Sequence, residues 1–164
     1  ELVEPYVEPV SLLDALPGLA TEISYFAQRP GPLRRLAEVC TRTAGVLRLH
    51  YADADGVLPL LPALLDDREP EPWRPIGPVA SGDPGRVEVI DAVAAGGRLA
   101  VLVGKDLMVL DGIGPLVWET ARRGVGLDAV TSAVVAAFGE PPTGDATALV
   151  ASVIGELTSL GALP

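Results

Sequence analysis

Arg98-Leu-Ala-Val-Leu-Val-Gly-Lys-Asp-Leu-Met-Val-Leu-Asp111 consists of two short apolar runs joined by Gly104-Lys105. A two-residue Gly-X junction between such runs is a hairpin signature, because glycine supplies the positive φ that a tight β-turn needs. The stretch predicts strands over Arg98–Val103 and Asp106–Leu110. Upstream, Arg86-Val-Glu-Val-Ile-Asp-Ala-Val93 reads as a further strand, with Ala94-Ala-Gly-Gly97 as its turn. Downstream, Asp111 is the expected cap of a helix whose Pro115 is tolerated in the first turn. That helix directs Ile113, Leu116, Val117 and Trp118 to the core and stops before Gly124. A second helix spans Leu127–Phe138, ended by Gly139 and Pro141-Pro142. A third starts at Thr143 or Asp145 and ends at Gly161. Three strands followed by three helices predict an α+β fold: a winged-helix-like domain over residues 86–164, with a three-stranded antiparallel sheet plus three helices.

Before this domain the chain is punctuated by proline. Asp66-Asp-Arg-Glu-Pro-Glu-Pro-Trp-Arg-Pro-Ile-Gly-Pro78 and Ser81-Gly-Asp-Pro-Gly85 favour neither helix nor central strand. Residues 66–85 therefore read as a Pro-rich linker, with Trp73 packing on a domain. Residues 1–65 read as a small, mostly helical region of unassigned role. It holds short helices over 21–28 and 33–43, a strand beginning at Val46, a turn at Asp53-Ala-Asp-Gly56, and a segment over 57–65 that fits either strand or short helix.

Composition restricts function. The 164-residue chain carries a formal charge of −10, which disfavours nucleic acid and anionic membrane surfaces and suits a neutral or basic peptide. No apolar run reaches the roughly 18 to 20 residues that span a bilayer. The opening Glu1-Leu-Val-Glu4 has no basic n-region, so no signal peptide is expected. A lone cysteine, Cys40, fits a reducing cytoplasm, and its helical setting reads as a buried structural thiol. With one Cys and one His (His50) an N/S zinc site within the chain is not expected.

Other motifs fail. The Asp53-Ala-Asp-Gly56 run would need Glu at the twelfth position of a calcium loop and has Leu64. Gly112-Ile-Gly114 lacks the third glycine of a dinucleotide fingerprint. Nothing assembles a nucleophile, a base and an orienting group, so neither catalysis nor a cofactor is expected.

Two segments together are similar to the PqqD family. One is Leu99-Ala-Val-Leu-Val103, Leu107-Met-Val-Leu-Asp111 and Leu116-Val-Trp-Glu119; the other is Val153-Ile-Gly-Glu-Leu-Thr-Ser-Leu-Gly-Ala-Leu163. The resemblance covers about half of the chain. Asp111 stands where the family often has Asn, the second turn is very short, and residues 1–65 lie outside the family's single small domain. The resemblance implies a non-catalytic recognition element that binds the leader of a ribosomally made precursor peptide. It would present that peptide to a modifying enzyme such as a radical-SAM protein. The leader would add as a strand to the third strand of the domain and lie against the last helix. The residues so implicated are Asp106, Leu107, Met108, Val109, Leu110 and Asp111 on the strand, with Ala148, Ser152, Gly155 and Thr158 on the helix.

An exposed strand edge can template an added strand on physical grounds alone. The last helix has an unusually wide apolar face, Leu149, Val150, Val153, Ile154, Leu157 and Leu160. It fits a groove wall, or a helix buried on two sides by its own protein or within a homo-oligomer. A winged-helix transcription regulator is the remaining alternative, and there the absence of Lys and Arg between Asp145 and Leu160 is unfavourable.

Overall fold

The computed structural model describes residues 4–66, 68–77, 89–142 and 144–163. The linker reading of 78–85, the first residues of the strand expected from Arg86, and Thr143 as a helix start lie outside them. The fold is α+β, built on two antiparallel sheets.

The predicted hairpins form with the turns their glycines dictate. Strand β4 (Val89–Ala95) turns through Gly96 and Gly97, at φ 55° and 76°, into β5 (Arg98–Val103). Two consecutive positive φ values are what a tight two-residue hairpin of this twist needs. Gly104 at φ 58° then turns β5 into β6 (Asp106–Leu110), in the register Leu102↔Leu107 and Ala100↔Val109.

The sheet has four strands rather than three. Trp73–Ile76, inside the stretch expected as linker, forms β3 and pairs with β4, giving the order β3-β4-β5-β6. Pro75 hides this strand from a sequence reading. A strand proline is tolerated where its missing N–H faces away from the ladder, and β3 is an edge.

Both faces of the sheet are covered. Leu99, Val101 and Val103 of β5 pack with Val117, Trp118, Val130, Val134, Val150 and Leu157. These come from α4 (Gly114–Ala121), α5 (Leu127–Phe138) and α6 (Ala146–Ser159). Ala100 and Leu102 face the other way, towards Leu12, Leu13 and Leu16 of α1 (Leu12–Thr21) and Leu33, Ala37 and Cys40 of α2 (Pro32–Arg42). Period-two alternation thus serves two hydrophobic clusters at once, which is why β5 is apolar throughout.

Helix α1 replaces the helix expected over 21–28, where only a single 3-10 turn at Phe26–Gln28 forms. Ser11 caps α1 by accepting from the Asp14 amide. Pro17 removes one internal hydrogen bond, a loss offset by burial of Leu12, Leu13, Ala15 and Leu16. Asp145, one of the two expected starts of the last helix, caps α6 through the Thr147 amide. Asp111 does not cap α4: Ile113 holds that position, and the Asp111 carboxylate instead accepts from Gly112. Residues 57–65 resolve as helix, a 3-10 turn over Asp55–Leu60 followed by α3 (Leu61–Leu65).

The second sheet pairs β1 (Tyr6–Val10) with β2 (Val46–His50). Tyr6 stacks on His50 with ring centroids 4.4 Å apart. The hydrogen bond from His50, then that from Arg48, holds the Glu8 carboxyl below its ordinary value of 4.5. A lowered folded-state pKa contributes stability above the unfolded value, and that stability is lost as pH falls through the folded one. Glu8→Gln should therefore flatten the acid limb of the stability profile. Urea midpoints measured between about pH 5 and pH 3 should fall less for the variant than for the parent chain, and parallel profiles would contradict this account.

Candidate peptide-binding edge

The four-stranded sheet has two edges, and they differ in chemistry. Strand β3 carries Pro75 and the exposed Arg74, and Arg74 is engaged by Glu119. Proline and charge are the usual means of blunting an edge. Strand β6 reads Asp-Leu-Met-Val-Leu, with neither proline nor lysine inside it. Among the described residues its one ladder partner is β5.

The β6 side chains are poised between core and solvent. Leu107, Met108, Val109 and Leu110 are half-buried, while Asp106 and Asp111 are exposed at the two ends. Met108 and Leu110 pack against the cluster that includes Trp118, Val150 and Leu157. Leu107 and Val109 pack against the cluster that includes Leu13, Leu33 and Leu102.

All four implicated residues of α6 (Ala148, Ser152, Gly155 and Thr158) are exposed. At 100° per residue, Ala148 and Ser152 lie about 160° from the buried Val150 and so point outward. Gly155 joins Ala121, Val125, Leu127, Ala151, Ile154 and Leu163 around a shallow depression among the three C-terminal helices. Thr158 lies on that same flank of α6. The opposite flank carries Val153, which packs on the core, and the exposed Leu149 and Leu160.

Polar links seat residues 11–43 on the sheet. Asp91 of β4, fully buried, accepts from the amide and Nε of Arg34 at 3.0 and 2.8 Å and from the Ala92 amide at 3.0 Å. Glu71 accepts from the Leu12 amide at 2.7 Å, and Trp73 Nε1 donates to Thr41 at 2.8 Å. Arg98 donates to Asp14 at 2.7 Å. The Ser11 hydroxyl first, and Arg98 second, lower the Asp14 carboxyl; Asp14 in turn raises Arg98. Sequence reading missed Asp91, although a lone carboxylate inside Val89-Ile-Asp-Ala-Val93 was a signal that a buried partner exists. Burial raises the Cys40 thiol, so it stays protonated at neutral pH.

Among the described residues, no three His, Cys, Asp or Glu side chains gather into a metal-binding group, and no helix is long and apolar enough to cross a membrane. Compared with protein-family models, curated proteins and solved structures, the chain returned no match.

Proposed function

We propose that this protein is a non-catalytic, cytoplasmic peptide-binding module whose β4–β6 sheet and α4–α6 helices act as a winged-helix-type recognition element. It captures the leader of a ribosomally synthesised precursor peptide by strand addition to β6 and presents it to a modifying enzyme of the radical-SAM kind. The observation that carries this reading is the contrast between the two sheet edges. Strand β3 is guarded by proline and an engaged arginine, whereas β6 offers an unguarded ladder with half-buried aliphatic side chains on both faces.

Magnitudes allow it. At about 0.5–1.5 kcal/mol net per hydrogen bond, some five backbone bonds and a few buried side chains outweigh ordering costs and support affinity near the micromolar range. The chain's charge of −10 favours a peptide that is neutral or basic where it docks. The test is titration of a fluorescein-labelled leader segment of any precursor peptide found encoded next to this protein's gene, followed by hydrogen exchange. Saturable binding is expected, with slowed exchange in residues 106–110 and with loss of binding in a folded Val109→Pro variant. No saturation, or affinity unchanged by Val109→Pro, would sink the proposal.

A further inference from the structure

A strand added beside β6 has two faces, and the region preceding the sheet stands on one of them. Pro17, Thr21, Tyr25, Phe26 and Gln28 face Leu107 across a cleft of about 500 Å³, a volume in the range of small-ligand sites. Its sheet wall is Leu102 and Leu107, cross-strand neighbours in the β5–β6 ladder. The cleft therefore opens at the start of the unguarded edge itself. Tyr25 stands at its rim, 75% exposed and in the left-handed conformation at φ 58°. An L-residue pays for that conformation and keeps it only where its surroundings impose it.

We propose that this cleft is a specificity pocket for the docked peptide, so that the incoming strand is read on both faces and residues 17–28 select its sequence. The inference rests on β6 being the docking edge. Side chains of paired strands share a face with the residue directly opposite. Peptide positions opposite Met108 and Leu110 look towards the cluster built on α4–α6. The position opposite Leu107 looks into the cleft. An extended peptide is the occupant that fits, because the cleft is continuous with a ladder of backbone groups, which neither a compact small molecule nor a helix satisfies.

The cleft lining is mixed aliphatic and aromatic, with Lys105 and Asp106 offsetting each other at its mouth. That chemistry calls for a large uncharged side chain, leucine-sized or aromatic. Asp106 and Asp111 stand exposed at the two ends of β6, each with a cation near it, Lys105 for the first and Arg98 for the second, so it is the overall charge of −10 that favours basic residues flanking the paired segment. The peptide class is thus a short extended stretch with basic flanks and one bulky apolar residue on the face opposite to its other apolar positions.

The experiment uses the full chain and a positional-scanning library of lysine-flanked peptides of about ten residues, varied at alternate positions, with fluorescence anisotropy and hydrogen exchange as readouts. At one position, leucine or an aromatic residue should bind on the order of tenfold more tightly than alanine, from the burial of two to three methylene equivalents. Thr21→Trp and Gln28→Trp, both at exposed cleft positions, should abolish that preference while leaving exchange protection of residues 106–110 intact. Binding that protects β6 but shows no such positional preference, or a preference indifferent to both tryptophans, overturns the pocket and leaves the docking edge standing. Absence of any β6 protection across the library overturns the docking edge and the pocket with it.

Discussion

Replacing Asp91 with alanine should lower the free energy of unfolding by about 3 kcal/mol, the lower end of the cost of breaking a buried ion pair. The reason begins at α2. Its N-terminal sequence Gly31-Pro32 supplies no capping side chain of its own. Helix N-termini leave unsatisfied amides and a partial positive charge. Asp91 supplies both the acceptor and the negative charge from a distant strand, taking the Arg34 amide, the Arg34 Nε and its own neighbour's amide. Alanine strands the two amides and removes the link between α2 and β4. Arg34 is 38% exposed and can turn to water, which keeps the cost towards the lower end. Asn in place of Asp91 keeps an acceptor and should cost roughly half as much. Urea unfolding followed by circular dichroism measures both. A loss below about 1 kcal/mol for Asp91→Ala would show that water or other groups replace the carboxylate.

Trp118→Ala should be the more damaging core change, at about 3–5 kcal/mol for loss of a buried tryptophan. Trp118 is 1% exposed and packs in the larger cluster. Its Nε1 donates to the Ala162 carbonyl at 2.9 Å, tying the tail after α6 to α4. The Arg122 guanidinium lies 4.4 Å from the ring centroid. Truncation leaves a cavity, an orphaned carbonyl and an arginine without its aromatic surface. Trp118→Phe keeps most of the apolar volume and loses the donor, so it should cost about 1–3 kcal/mol. Trp73, the other tryptophan, reports the unfolding transition in both variants. Equal losses for Ala and Phe would place the energy in the hydrogen bond rather than in the packing.

Where a local rule decides the conformation, the sequence is readable. Gly96-Gly97 and Gly104-Lys105 specify tight hairpins, and β4, β5 and β6 follow. Helix α5 has the bounds its periodicity predicts, and Asp145 caps α6 as its residue type suggests. Where tertiary packing overrides a local rule, the reading fails. Pro17-Gly18 and Pro75 are breakers by propensity, yet α1 forms because its first two turns are buried, and β3 forms because an edge tolerates proline. Asp111 looked like a cap and is held by an adjacent amide instead.

The same division applies to the candidate site. The edge strand was visible because it ends a run of hairpins. The cleft was not, because residues 17–28 meet residues 102–107 only after both sheet faces are covered. The arrangement of α6 was half-visible: its apolar width was plain, but which flank turns towards which neighbour depends on its rotation about its own axis.

Strand β5 also governs how the two parts of this protein can be exchanged. Ala100 and Leu102 belong to one cluster, Leu99, Val101 and Val103 to the other, and no residue from Leu99 to Val103 retains a solvent face. The strand is a party wall, and neither tenant can rebuild alone. A change that enlarges a side chain for the benefit of α1 and α2 shifts the backbone on which α4, α5 and α6 rest. Grafting another N-terminal region onto this sheet therefore requires a donor already shaped to Val93, Ala95, Ala100 and Leu102. The two parts are separable in sequence but not interchangeable as modules.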